Sequence, residues 1–347
     1  MSMPAPVGRI TVLAGGIGGA RFLRGLLAVT DAEITVIGNT GDDIWIHGLR
    51  VCPDLDTLMY TLGGGISAER GWGREDETFT VKDELAAYGL EPSWFGLGDR
   101  DIATHLVRTQ MLAVGYPLSA VTEALCDRWR PGVRLLPMTD DRAETHVVVD
   151  DPDGAVDSSG RPARRAIHFQ EWWVRYRAGL PAHSIVLVGA EEATPAPGVI
   201  EAIEDADVVV LPPSNPVVSI GTILQVPGIR DALTRTSAPI VGLSPIVGGS
   251  PVRGMADACL ASIGVGTDAA AVARHYGSRR ALVPAGAPSD GILDGWIVDT
   301  TDAQSVASVQ AVGIDCEARP LLMSDAEATA DMARASLGLA DRLRSRQ

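Results

Sequence analysis

Lysine is almost absent: of the 29 basic residues in this 347-residue chain only Lys82 is a lysine, and 44 acidic residues set the formal net charge at −15. A surface of that sign repels phosphate backbones, so a nucleic-acid partner is not expected. Schiff-base chemistry has a single candidate, and a phosphate site must use arginine, main-chain N–H groups or a metal ion. Cysteine is scarce too. Cys52, Cys126, Cys259 and Cys316 are widely spaced, with no CxxC and no Cys/His cluster. That spacing argues against structural zinc and a disulfide framework, and for reduced, partly buried thiols. No apolar run approaches the ~18 residues of a membrane span. The opening MSMPAPVGRI lacks the charged-then-apolar order of a secretory signal. The expectation is an intracellular, cytoplasmic protein with no membrane contact.

What is present suits a folded core. Hydrophobic residues make up 46% and charged residues 21%, outside the disordered range. At ~150 residues per domain the length allows two domains or one large α/β domain. The pattern along the chain favours a single domain over 1–347. Residues 10–14 read as a strand, Gly15-Gly16-Ile17-Gly18-Gly19 as a turn, and 20–29 as a helix. A second strand at 33–37 ends in Gly38-Asn39-Thr40-Gly41-Asp42-Asp43, completing a βαβ unit. Residues from about 55 to 130 look mainly helical, an insertion or cap. Short β runs return at 134–136 and 145–149, before a turn-rich loop at 150–162. Strands at 185–188, 208–211 and 240–243 then alternate with helices at 199–204, 229–233 and 256–263. The expected fold class is α/β: a mostly parallel sheet with helices on both faces, a helical insertion, and both halves feeding one sheet. Trp172-Trp173 reads as core or interface rather than a stacking platform.

In such sheets ligands lie beyond the carboxyl ends of the strands, near a switch in strand order. Four strand ends are rich in glycine, proline and polar residues: 15–21 (GGIGGAR), 39–43 (NTGDD), 212–216 (PPSNP) and 244–249 (SPIVGG). Gly15, Gly16, Gly18 and Gly19 let main chain approach an anion at a helix amino terminus, and Arg21 adds charge just inside that helix. The spacing is neither GxGxxG nor a Walker loop. Ser214 and Asn215, in a proline-stiffened loop, offer a hydroxyl and an amide able to read a base edge. Ser244 with Gly248 and Gly249 offers a second phosphate nest.

Asp42 and Asp43 end the second strand, and Asp54 and Asp56 follow in CPDLDT. Carboxylates on the same rim as a phosphate cradle repel the ligand unless a cation lies between them. Hard oxygen ligands beside phosphates imply Mg²⁺, usually held by one or two protein carboxylates. A third segment, LGDRDIATH, places Asp99, Arg100 and Asp101 before a helix bearing His105. Local capping and salt bridging would also account for that pattern.

Taken together, VLAGGIGGARFLRG (12–25), GDDIWIHGLRVCPDLDTLMYTLGGG (41–65), WFGLGDRDIATHLVRTQ (94–110), HFQEWWVRYR (168–177), PPSNPVVSIGTIL (212–224) and SPIVGG (244–249) closely resemble the 2-phospho-L-lactate transferase family of coenzyme F-420 biosynthesis. The resemblance runs over roughly 9–340 and is nearest the actinobacterial branch. It implies a Rossmann-like fold and transfer of a phosphoenolpyruvyl or 2-phospho-L-lactyl group. The donor would be guanosine-diphosphate-activated. The acceptor would be the terminal ribityl hydroxyl of the deazaflavin 7,8-didemethyl-8-hydroxy-5-deazariboflavin (Fo), with release of GMP. By matched position, Asp42 and Asp56 would hold Mg²⁺ or touch the Fo ribityl chain. Gly15 to Gly19 would lie against phosphate, and Ser214 and Asn215 would read guanine. Acceptor contacts would come from Asp56, Asp99, Arg100 and His105. Where some relatives have a basic residue before LGDRD this chain has Gly96, so a contact there falls to main chain or Arg100.

The chemistry needs an alcohol to attack the distal phosphorus of a diphosphate, with Asp43, Asp54 or Asp56 accepting its proton. No covalent intermediate is expected, and a homodimer is the common assembly for such sheets. One competing reading is a non-enzymatic regulator that binds a nucleotide-sugar, which leaves CPDLDT and GDRDIATH without a purpose. Another is an NAD-dependent dehydrogenase, against which stand the missing GxGxxG and Asn39 where a ribose-binding acid belongs.

Overall fold

The computed structural model describes residues 7–280 and 290–346. The chain begins with β1 (Arg9–Ala14), α1 (Gly16–Leu27) and β2 (Glu33–Gly38). A hairpin of β3 (Ile44–Ile46) and β4 (Leu49–Val51) follows. Helices α2 (Pro53–Leu62), α3 (Thr80–Ala87), α4 (Asp99–Ala113) and α5 (Leu118–Trp129) then lead to β5 (Arg134–Pro137). Strands β6 (Glu144–Asp150), β7 (Arg164–His168) and β8 (Ser184–Val188) precede α6 (Val199–Glu204), β9 (Val208–Leu211), α7 (Ile220–Ile223), α8 (Ile229–Arg235) and β10 (Ile240–Leu243). The last third holds the hairpin β11 (Ile246–Val247) and β12 (Ser250–Pro251), then α9 (Ala256–Ser262), α10 (Ala269–Tyr276) and β13 (Gly295–Val298). It closes with α11 (Val306–Gln310), β14 (Asp315–Ala318) and α12 (Ala326–Arg344).

Seven strands form one parallel sheet in the order β14-β13-β10-β9-β1-β2-β5. Counted along the chain this is the doubly wound order, with its switch between β1 and β9. The inner strands β9, β10 and β13 bury both faces, as parallel strands under helices must, and the edge strand β14 is only half-buried. Val208 and Val210 of β9 join the core with α1, α2, α5 and α12, where Phe22, Leu58, Val121 and Met332 pack. Val209 and Leu211 join the opposite core with α6, α8, α9, α10 and α11, where Ile203, Leu233, Leu260 and Tyr276 pack. Each such valine or leucine, fully buried, contributes about 1.5–3 kcal/mol. Trp172 is a core residue of that second layer, its indole N–H donating to the Leu180 carbonyl at 2.8 Å, and Trp173 is partly exposed. The four cysteines are free thiols, and burial pushes Cys126, Cys259 and Cys316 up to about 12, so they are unreactive.

Two expectations need correction. The runs at 145–149 and 185–188 do not feed the main sheet. They lie in a separate antiparallel sheet, β7-β6-β8, laid on the second core. The reason was in the pattern: β6 alternates half-buried and buried positions along ETHVVVD, the mark of a sheet with one covered face. The region 55–130 is mainly helical, with irregular stretches at 63–79 and 88–98. Its first helix, α2, is however no appendage, since Leu55, Leu58 and Met59 pack into the first core. The β3–β4 hairpin was not anticipated. His47 and Gly48 turn it with φ of +50° and +76°, the left-handed pair of a two-residue hairpin.

Candidate active site

Three loops meet at the switch point. Ser214, after β9, donates its hydroxyl to the Gly15 carbonyl at 2.8 Å, and the Gly15 N–H donates to Ser214 Oγ at 3.3 Å. A side-chain carbon at Gly18 would come within 2.5 Å of the Pro213 carbonyl oxygen, and one at Gly19 within 2.8 Å of Ser214 Oγ. One at Gly15 would collide with Asp54. The glycines therefore let α1 close onto the turns after β9 and into α2. The Gly16 N–H, first of the free donors at the start of α1, is taken by the Asp54 carboxylate.

Asn39, fully buried after β2, joins these loops. Its amide donates to Asp54 Oδ2 at 2.9 Å and to the Val218 carbonyl at 3.1 Å. Its oxygen accepts from the Gly41 N–H at 2.9 Å and the Thr222 hydroxyl at 2.7 Å. Every polar atom of the Asn39 side chain is engaged inward, so the position cannot read a ribose.

Around Asn39 the acids fall into three environments. Asp42 and Asp54 are buried with no cation within ion-pair distance among the described residues, and Asp42 Oδ1 has no partner. Burial, then repulsion by Asp54, pushes the Asp42 carboxyl well above the usual carboxylate range; burial pushes Asp54 up to about 7. Asp43 is tied to Arg50, Oδ2 to Nη2 at 3.0 Å, while its Oδ1 is buried and unpartnered. Burial outweighs that arginine and raises Asp43 to about 6. The Asp43 carbonyl accepts from His168 Nε2 at 3.2 Å, and burial lowers His168 to about 4, so this imidazole stays neutral.

Asp56 belongs to the third environment. Both its oxygens are held by Arg108, Nη1 lying 3.1 Å from Oδ2. Arg108 Nη1 also lies 3.0 Å from His105 Nδ1. A guanidinium can only donate, so Nδ1 accepts and the imidazole proton sits on Nε2, which lies 3.3 Å from Asp101 Oδ2. Tyr60 donates to the other Asp101 oxygen at 2.6 Å. Asp56 was expected to hold Mg²⁺ with Asp42. Its charge is instead balanced by Arg108, and the unbalanced pair is Asp42 with Asp54.

The remaining expected contacts divide. Asn215 Oδ1 accepts from the Val217 and Val218 N–H groups at 2.9 and 3.2 Å, fixing its own loop, and its amide nitrogen donates to the sulfur of the buried Cys259 at 3.6 Å. Ser244 closes on Ile246, and the Gly248 N–H donates to Asp302 at 2.9 Å. Gly248 and Gly249, at φ of +59° and +77°, are a hairpin turn rather than an open nest. Arg21 donates to the Met323 carbonyl at 2.6 Å, ahead of α12. Asp99, expected at the acceptor, accepts from the Thr80 and Val81 N–H groups at 3.0 and 2.9 Å and so caps α3. His105 is buried between Arg108 and Asp101, whereas Arg100 is open to solvent. Residues given no site role from the sequence are Asn39, Arg50, Tyr60 and Arg108. For Arg108 a signal existed: Asp101, His105 and Arg108 recur at i, i+4 and i+7, one face of α4.

Fold and site together define a Rossmann-like α/β protein with a buried acidic centre at the carboxyl edge of its parallel sheet. Among known proteins, residues 10–332 match the family described as 2-phospho-L-lactate transferase CofD. The chain belongs to that family. It is 66% identical over 337 residues to a protein of Streptomyces coelicolor named phosphoenolpyruvate transferase, covering 97% of this chain and 99% of that one. The corresponding figures for a protein of the same name from Streptomyces griseus subsp. griseus are 67% over 338 residues, 97% and 100%. In fold it resembles the crystal structure of protein BH3568 from Bacillus halodurans, with a TM-score of 0.59 and 16% identity over 96% of this chain and 100% of that one. No helix among the described residues is long and apolar enough to cross a membrane.

Proposed function

We propose that this protein transfers a phosphoenolpyruvyl group from a guanosine-diphosphate-activated donor to the terminal ribityl hydroxyl of Fo, releasing GMP and forming dehydro coenzyme F-420-0. The name shared by relatives at 66% and 67% identity supports the enolpyruvyl donor over 2-phospho-L-lactate. The observation that carries the reading is the Asp42–Asp54 pair, two buried carboxylates without a cation at the sheet's switch point.

That pair fits Mg²⁺. Its donors are hard oxygens, and Asp42 Oδ1 is buried without a partner. Among the described residues no three His, Cys, Asp or Glu side chains converge as a metal site, so the other ligands would be water and diphosphate oxygens. Mg²⁺ held there would neutralise charge on the diphosphate.

The chain's own groups supply the rest. In the transfer the ribityl oxygen bonds to the distal phosphorus, the bridging P–O bond breaks, and GMP departs with that electron pair. Its monophosphate is already a stable anion, so little acid assistance is required. Asp43 is the group suited to take the hydroxyl proton: Arg50 fixes one of its oxygens, the other is free, and its pKa of about 6 leaves it ionised at neutral pH. Ser214 and Asn215 lie in the loop expected to meet guanine, and the hydrogen bonds of Asn215 to its own loop and to Cys259 hold that loop in shape. Nucleotide release tests the reading. With the guanylated donor and Mg²⁺, GMP accumulates only when Fo is added; GMP formed equally without Fo means hydrolysis, and the reading fails.

A further inference from the structure

The carboxyl end of α2, remote from the helix start that bears Asp54 and Asp56, borders a cavity of about 360 Å³. Its walls are Arg74, Arg100, Arg128, Trp129 and the Gly63–Gly65 turn, with the exposed acids Glu75 and Asp76. The arginines here donate to main-chain carbonyls. Arg253 donates to the Arg70 carbonyl at 3.0 Å, Arg70 to the Arg74 carbonyl at 2.7 Å, and Arg74 to the Arg100 carbonyl at 3.0 Å. Each guanidinium in this relay spends an N–H on main chain rather than on a carboxylate. The Arg74 and Arg128 guanidinium carbons stand 4.9 and 4.7 Å from the Trp129 ring centroid, which holds both in place. Among the described residues none of these five arginines lies within ion-pair distance of a carboxylate, in a chain with 44 acidic residues.

Two donors on the cavity's residues, Arg74 Nε and Trp129 Nε1, are buried without an acceptor. Buried donors left unpaired cost about 1–3 kcal/mol each, and a native structure gives each a reason. The α2 carboxyl terminus offsets only about half a charge. Glu75 and Asp76 share the lining without an ion pair to any of the three guanidiniums, so the wall keeps a slight positive excess.

We propose that this cavity binds a small oxyanion, a phosphate or carboxylate group, between Arg74, Arg100 and Arg128. None of the aspartates of the sheet edge lines it, so the proposal stands apart from the transferase reading; only Arg100 figures in both. The test is titration calorimetry on the full chain in EDTA with inorganic phosphate, pyrophosphate and citrate as separate probes. At least one binds saturably, and the arm that binds tells phosphate from carboxylate. Arg74→Gln and Arg128→Gln each weaken that binding fivefold or more, and binding weakens as salt rises. Arg128 is exposed, so its replacement leaves the fold standing and keeps the test decisive if Arg74→Gln does not fold. No saturable binding by any of the three probes, or a loss smaller than fivefold in Arg128→Gln, overturns the proposal.

Discussion

Arg108 grips Asp56 with two guanidinium nitrogens in a place where both side chains are sealed from water. The grip spans two elements: Asp56 sits in the first turn of α2 and Arg108 in the middle of α4, so it fastens the helical insertion to the helix that carries Asp54. Burial alone would lower the Arg108 pKa, and the Asp56 carboxylate outweighs it, holding the guanidinium charged. Removing one partner strands a buried charge, at a cost of about 3–5 kcal/mol. Arg108→Met is expected to lose that much in urea unfolding, and Asp56→Asn combined with Arg108→Met to recover a large part of it. An Arg108→Met loss below about 1 kcal/mol would show that the pair does not hold the insertion in place.

The Asp42 and Asp54 carboxyls have folded-state pKa values raised above their unfolded ones. The stability tied to their protonation is complete below about pH 4, the unfolded value, and is lost as pH rises through the folded value, about 7 for Asp54. Asp54→Asn removes the charge without changing the shape. Its metal-free melting temperature is expected to exceed that of the parent at pH 8 by roughly 2–4 °C, the shift that about 1 kcal/mol produces in a large domain. At pH 5 the difference is expected to be smaller, and it vanishes only below about pH 4, where the unfolded carboxyl is protonated as well.

Mg²⁺ is expected to raise the parent's melting temperature at pH 8 and to do little at pH 5, where protons already occupy the pair. A cation at a hundred times its dissociation constant adds about 2.7 kcal/mol. Asp42→Asn is expected to remove the response. A Mg²⁺ shift unchanged in that variant places the ion elsewhere.

Asp43 as the proton acceptor predicts a transfer rate that falls as pH drops through about 6, since only the ionised carboxylate accepts. Asp43→Asn is expected to lose roughly 10²–10⁴-fold in kcat, and to melt lower than the parent, since Arg50 is then left buried with only Glu144, 3.6 Å away, as its acid partner. A flat pH profile between 5 and 8 together with near-parental turnover assigns the proton elsewhere.

Much of the fold was legible from the chain because its parallel strands are short, fully apolar runs set off by glycine, proline and polar turns. The start at β1, the strands at 208–211 and 240–243, and the convergence of their carboxyl ends followed from that punctuation. The antiparallel sheet was misplaced because its strands were counted by apolar content, whereas the alternation in ETHVVVD set them apart. In the site, residue type and spacing marked the acids but not which of them pair. Asp42, Asp43, Asp54 and Asp56 look equivalent in sequence. Arg50 and Arg108, brought in from β4 and α4, neutralise Asp43 in part and Asp56 fully, and leave Asp42 and Asp54 bare. The glycine turn was read for its ligand, and the structure shows it first serving loop packing against Pro213 and Ser214.

The most direct measurement is the mass of the product formed when the protein is incubated with Fo, Mg²⁺ and each guanylated three-carbon donor in turn. The account predicts the enolpyruvyl adduct of Fo from the enolpyruvyl donor, lighter by two hydrogens than the lactyl adduct. No adduct of Fo from either donor, under conditions where the protein is folded and binds Mg²⁺, would contradict it.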